Sequence, residues 1–209
     1  MPIRLRALVS LLFVLVGGPL VAQGGGIGFS PTFRFLKAVR ERDGTVATEM
    51  TATPGATVIN SRDPSSGDGA LHILVRGRDL GWLTFMLQRG ARADLQSNDG
   101  ATALLLAAQI GWREGAERLL IARANPNLSN RQGETPLIYA VRRFDVPMVR
   151  LLMASGADPN QTDSLSGSSA LDYARQDRRG QALIPLLEAR QARQARPAQV
   201  QGPPAPRQP

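Results

Sequence analysis

Gly100-Ala101-Thr102-Ala103-Leu104 returns further along as Gly133-Glu134-Thr135-Pro136-Leu137, and that return decides how the chain is read. Downstream, Ala124-Asn125-Pro126-Asn127 returns after the same interval as Ala157-Asp158-Pro159-Asn160. Working outward, the first phrase stands one interval earlier at Gly67-Asp68-Gly69-Ala70-Leu71-His72. It stands again after Gly133, one position later than the interval would put it, at Gly167-Ser168-Ser169-Ala170-Leu171. A period in the low thirties that restarts at a turn signal marks stacked supersecondary units, none of which can bury its apolar side alone.

Between the phrases, apolar residues recur at helical spacing in pairs of short runs. The second unit has Leu71, Leu74 and Val75, a corner at Gly77-Arg78-Asp79, then Trp82, Leu83, Phe85, Met86 and Leu87 before Arg89-Gly90. The third has residues 104–110, a corner at Gly111, then Ala116, Leu119, Leu120 and Ile121. The fourth has 137–142, a corner near Phe144-Asp145, and 146–153, with Pro147 early in the helix where its missing N–H is harmless. The last has 171–176, a corner at Arg178-Arg179-Gly180, and 182–190, with Pro185 leaving the start of its second helix open. Ahead of them, Ser30-Pro31 opens a helix bearing Phe33, Leu36, Ala38 and Val39, a weaker helix covers 46–51, and Gly55-Ala56-Thr57-Val58-Ile59-Asn60 echoes the later Gly-Ala-Asp phrase. This first unit is divergent, as the ends of such arrays are, since one face meets solvent. Leu104 and Leu137 are expected between stacked units, and Trp82 in place of a core aliphatic residue.

At these residues the chain resembles the ankyrin-repeat family, whose unit reads approximately G-x-T-P-L-H-x-A-A, then G-H-x-x-x-V-x-x-L-L, then G-A-D-x-N. Gly133-Glu134-Thr135-Pro136-Leu137, Ala107-Ala108, Leu151-Leu152 and Gly156-Ala157-Asp158-Pro159-Asn160 carry the likeness. Gly69 and Ala70 depart from Thr-Pro in the second unit, and Ala103 from proline in the third. The resemblance implies an all-α solenoid of four to five stacked repeats, each two helices and a finger. It covers residues 32–189, with units near 32–63, 64–96, 97–129, 130–163 and 164–189.

The flanks differ from this body. Residues 1–22 have the parts of a secretory signal: Arg4 and Arg6, an apolar run over 7–16, Gly17-Gly18-Pro19, then Leu20-Val21-Ala22 as a cleavage site. Ten apolar residues fall short of the roughly 20 that span a bilayer, so export with cleavage after Ala22, to the periplasm, is expected. A Gly-rich linker over 23–31 and a disordered arginine, glutamine and proline tail over 190–209 complete the chain. The formal charge of +8 sits largely in these flanks: without Arg4, Arg6, Arg190, Arg193, Arg196 and Arg207, 19 basic and 17 acidic residues remain. A nearly neutral body is no nucleic-acid binder. With no cysteine, disulfides, thiolate metal sites and a cysteine nucleophile are excluded.

Nothing in the chain makes a credible catalyst. His72 is the only histidine, and the resemblance gives its position structural hydrogen bonds between units. Asp94, Asp99, Asn125, Asn127, Asn130, Asp158, Asn160 and Asp163 recur with the repeat rather than at metal-loop spacing. They are expected to shape turns by bonding their own backbone. No G-x-S-x-G elbow occurs among the serines at 164–169. No cofactor, metal or small-molecule substrate is expected.

The resemblance instead implies a binding surface at the finger tips and the exposed ends of the first helices. There it places Arg76, Gln109 and Ile110, Arg142 and Arg143, and Gln176 and Asp177, with Arg131 and Glu134 on the fingers. Trp112 follows the corner glycine, a partly exposed place in the family. Arginine and tryptophan dominate interface hot spots. The expected function is therefore a monomeric, non-catalytic module of the cell envelope that binds an acidic protein partner. Charge reversal at Arg142 and Arg143 is expected to weaken that binding with stability nearly unchanged. The alternative is an envelope scaffold whose only membrane contact is the basic tail.

Overall fold

The computed structural model describes residues 29–52 and 57–194, and the side chains of 29–52 and 57–189. The expected signal at 1–22, most of the linker, Gly55-Ala56 and the tail from 195 onward lie outside the described residues. Among the described residues, ten α-helices form five successive pairs: α1 (Pro31–Glu41) with α2 (Gly44–Thr51), α3 (Ala70–Arg76) with α4 (Leu80–Gln88), α5 (Ala103–Ile110) with α6 (Arg113–Ile121), α7 (Pro136–Arg142) with α8 (Val146–Ala154), and α9 (Ala170–Gln176) with α10 (Ile184–Gln194). The first helices stack in the order α1, α3, α5, α7, α9, and α4, α6, α8 and α10 stack behind them. No strand occurs among the described residues, and one isolated bridge joins Thr162 to Ser169 in the last finger.

The sequence phrases are helix starts. In Thr102 and Thr135 the hydroxyl accepts from the N–H of Leu105 and Ile138, at 3.2 Å each, and so satisfies a donor that the first turn would leave orphaned. Ser169 and Asp172 form a reciprocal capping box on α9. Asp43, Asp79 and Asp145 do the same service for the second helices, accepting from Val46, Trp82 and Met148 at 3.0 Å. Helices of seven to eleven residues would be marginal alone. They persist because one continuous core runs through the stack. Leu104 and Leu137 are fully buried in it, as expected.

Of the apolar residues read at helical spacing, Phe33 on α1 and Ile121 on α6 turn to solvent, while Trp82 packs against the core from its rim. Ile121 is 66% exposed, because it follows Leu120 on α6 and a step of about 100° turns it to solvent. Trp82 is half-buried at the rim, edge-on to Phe85 with ring centroids 5.6 Å apart. Leu83 and Met86 fill the core there.

The units are also stitched along two edges. Across the fingers, the N–H of Asn98 donates to the Ser66 carbonyl at 2.9 Å, Arg131 to Asp99 at 2.9 Å, and Ser164 to Gln132 at 2.7 Å. Along the far edge, the N–H groups of Arg92, Asn125 and Asp158 donate to the side chains of Asn60, Asp94 and Asn127 at 2.8 Å. The expected own-backbone turns exist at Asn125, Asn130, Asp158 and Asp163. Asp94 and Asn127, by contrast, reach into the next unit.

At the C-terminal end a 3-10 segment, Arg178–Leu183, precedes α10, so Pro185 falls in that helix's first turn and interrupts nothing. The helix continues to Gln194, past Ala189, where the sequence reading ended the array and began a disordered tail.

Candidate binding surface

Arg76, Gln109 and Arg142 hold equivalent places on α3, α5 and α7, and all three are exposed. Ile110 is half-buried beside Gln109, while Arg131 and Arg143 are exposed and enter no ion pair among the described residues. Arg143 lies across the corner of the preceding unit, where a Cβ on Gly111 would come 3.0 Å from its Nη2. The structure therefore brings Gln109, Ile110, Arg131, Arg142 and Arg143 onto neighbouring units, with Arg76 one unit further along.

The arginines on the helices are not free. Arg76 Nη2 donates to Asp68 Oδ2 at 3.2 Å and Arg142 Nη1 to Glu134 Oε1 at 2.6 Å. Asp68 and Glu134 occupy the same place in their units, so one ion pair recurs in the second and fourth repeats. Ala101 and Gln109 replace it in the third. Glu134 thus departs from the expectation of a surface contact. Its carboxylate also accepts from the Tyr139 hydroxyl at 2.5 Å and from Asn130 Nδ2 at 2.8 Å. Burial by itself raises the Glu134 pKa, but these donors and the Arg142 charge outweigh it and hold the carboxyl below its ordinary value. Burial, and then the Glu134 acceptor, push Tyr139 up to about 12.

The Arg142 guanidinium lies between two tyrosine rings, 5.9 Å from the Tyr139 centroid and 5.6 Å from that of Tyr173. Tyr173 in turn donates to Asp163 Oδ2 at 2.5 Å, which ties α9 to its own finger. These tyrosines are the site residues the sequence reading missed. Their signal was available: each stands three residues before Arg142 or Gln176 on the exposed side of a first helix. The pairing also alters the charge-reversal test. A glutamate at 142 would face Glu134 and strain the fold, so neutral glutamine is the substitution that isolates binding.

Trp112 is no surface contact. It is 6% exposed and sits at the N-cap of α6, the place of Asp79 and Asp145 in the sibling units, with no side-chain cap bond. Its ring lies against Gly115, so closely that a Cβ there would collide with it. Glycine to alanine inside a helix ordinarily gains about 1 kcal/mol. Gly115→Ala is expected instead to lose about 1–3 kcal/mol by displacing the ring. A raised denaturation midpoint for this variant would refute the Trp112–Gly115 lock.

His72 is fully buried between the second and third units. Its Nε2 lies 2.9 Å from the Ala101 carbonyl, which can only accept, so the proton is on Nε2 and Nδ1 accepts from the Gly69 N–H at 3.2 Å. The ring thereby caps α3 where Gly69 offers no hydroxyl, and ties that helix to the next finger. Burial, helped by Arg76 and opposed by the Ala101 carbonyl, Asp68 and Asp99, keeps its pKa below the ordinary value. The folded state thus binds fewer protons than the unfolded one below about pH 6.5, and stability falls as acid is added. Asp163 adds a second loss: burial opposes, but Tyr173, Ser166 and two backbone N–H groups prevail and hold it at about 2. The thermal midpoint is expected to be level between about pH 7 and pH 9, to fall below about pH 6.5, and to fall again below about pH 4. A midpoint unchanged from pH 7 to 5 would overturn the neutral His72.

Among the described residues no group of His, Asp or Glu side chains is placed to hold a metal ion, and no helix is long and apolar enough to cross a membrane. A family model for ankyrin repeats, in three copies, matches residues 71–163. An ankyrin repeat-containing protein of Treponema pallidum (strain Nichols) is 43% identical over 110 residues, which cover 52% of this chain and 37% of that protein. Neurogenic locus notch homolog protein 1 is 35% identical in Danio rerio and 34% in Homo sapiens over 136 residues, or 64% of this chain. Those residues cover 6% and 5% of the two notch proteins. The chain therefore spans little more than a third of the Treponema relative and a small part of the notch proteins. The repeated caps, the stacked helix pairs and these matches agree: residues 71–163 are ankyrin repeats, and the flanking helix pairs extend the same all-α solenoid.

Proposed function

We propose that the chain is a non-catalytic module that binds a protein partner on the finger-side face of its third to fifth repeats, with an acidic segment of the partner seated on Arg142. One observation carries this reading. The Arg142 guanidinium is fixed by Glu134 and held between Tyr139 and Tyr173, yet its side chain remains 46% exposed. A guanidinium so placed has given up its rotamer freedom before any partner arrives, and it retains donors for a carboxylate. Arg131 and Arg143 add charge on either side, without counter-ions among the described residues. The family supports a protein as the ligand class, since ankyrin repeats are protein-interaction modules.

The proposed setting is the cell envelope, reached by a signal cleaved after Ala22, with the mature protein acting as a monomer. The test is affinity capture from an envelope extract with wild type and with Arg142→Gln/Arg143→Gln. A partner retained by wild type is expected to bind the double variant at least about tenfold more weakly, a loss of about 1.4 kcal/mol. Its binding should also weaken as salt is raised. The mass of the mature bait should place its first residue at Gln23. Equal capture by both proteins would overturn the site, and an intact leader would overturn the setting.

A further inference from the structure

The repeat period is the same from Gly67 to Gly100 and from Gly100 to Gly133, and lengthens by a single position between Gly133 and Gly167. The extra residue falls in the finger of the fifth unit. That finger presents Leu165 with 89% of its surface exposed, the most exposed of the large apolar side chains among the described residues. An isolated exposed leucine on a loose loop would need no explanation. This loop is not loose. The Asp163 carboxylate accepts from the N–H of Leu165 at 3.1 Å, the N–H of Ser166 at 2.7 Å and the Tyr173 hydroxyl at 2.5 Å. The Ser164 N–H, just before the leucine, donates to the Gln132 carbonyl of the neighbouring finger. An apolar side chain is therefore held out in water on a finger braced from both sides.

The brace leads directly to the charged site. Tyr173, which holds Asp163, carries the Arg142 guanidinium over its ring, and Gln132, which receives Ser164, follows the exposed Arg131. Leu165 thus stands at the end of a face on which two arginines point outward. Deepening the function proposed above, and resting on it, we infer that Leu165 is the apolar anchor of that interface. Its partner presents an apolar socket rimmed by carboxylates, the leucine filling the socket while Arg131 and Arg142 meet the acidic rim. Because Asp163 and Gln132 have already ordered the finger, docking immobilises little more than the leucine side chain itself. The brace also explains why a turn in contact with solvent carries so many internal hydrogen bonds.

The probe is a set of random dodecapeptides displayed on phage and selected on immobilised protein spanning 23–209. Selected peptides are then synthesised and measured in solution against wild type, Leu165→Ser, Leu165→Met and Arg142→Gln/Arg143→Gln. Peptides combining acidic and large apolar residues, weakened at least tenfold by Leu165→Ser and restored by Leu165→Met, are the expected result. Binding equal to wild type with Leu165→Ser but lost with the arginine variant would overturn the anchor while leaving the arginine site standing. Binding unaffected by all variants would overturn both. Selected peptides without acidic residues would overturn the carboxylate rim. Leu165 is nearly free of contacts, so Leu165→Ser is expected to melt as wild type does, and loss of binding cannot be loss of fold.

Discussion

Replacing Leu137 by alanine is expected to lower the unfolding free energy by about 2–5 kcal/mol, and Leu104→Ala by a similar amount. Both leucines are fully buried on first helices that stack against neighbours on either side, α5 between α3 and α7, and α7 between α5 and α9. Removing either side chain opens a cavity shared by several units. The array cannot close that gap without shifting a whole helix pair, so the upper part of the range is favoured for these two sites. Denaturant unfolding of each variant gives the value. Midpoints equal to wild type for both would mean that the stack does not bury its first helices where the structure places them.

The second large effect is expected at a finger. Gly133 has φ +76°, where a side chain is strained, and a Cβ built on it would come 2.7 Å from the Ser164 backbone nitrogen and 3.0 Å from the Asp163 Cα. Those atoms belong to the next finger and are held there by the bond from Ser164 to Gln132. Gly133→Ala therefore combines the left-handed backbone cost with a clash against main chain, and a loss of about 2–5 kcal/mol is expected. Gly90 separates the two causes. It has φ +90° with nothing within 4 Å of a Cβ, so Gly90→Ala should cost only the backbone part, about 1–2 kcal/mol. Equal losses at the two sites would show that finger packing places no demand on Gly133.

Why some of this was legible and some was not follows from the period of the chain. Anything every unit needs is written several times, so the helix pairs and the buried Leu104 and Leu137 could be read from spacing alone. His72 could be placed too, but through the resemblance, because it holds the Leu-His position of the ankyrin unit and the equivalent positions here are Leu105, Ile138 and Asp172. What one unit does alone was written once, and failed. Trp112 stands where a sibling aspartate caps a helix, and its burial depends on Gly115, a small residue that the hydrophobic pattern does not register. Glu134 read as a surface acid because its three donors come from Asn130, Tyr139 and Arg142, four to eight residues away, and no period announces such a cluster. Ile121 failed for a simpler reason: in a run of three apolar residues on a nine-residue helix, the sequence does not say which one turns outward.

The stitch between fingers has a consequence for how such a surface can change. Each stitch uses main-chain atoms alone, the N–H groups of Asn98, Arg131 and Ser164 and the carbonyls of Ser66, Asp99 and Gln132, and beyond them it demands a glycine only where the next finger crowds the turn, as at Gly133. In the last finger a whole residue has been added past Ser164, and the stitch persists at 2.7 Å. Length and chemistry at the tips can therefore vary while the stack keeps its registry. The repeat separates the atoms that hold it together from the side chains it offers to others, so a new specificity can be tried at a finger tip with little risk to the fold, provided the packed glycines stay.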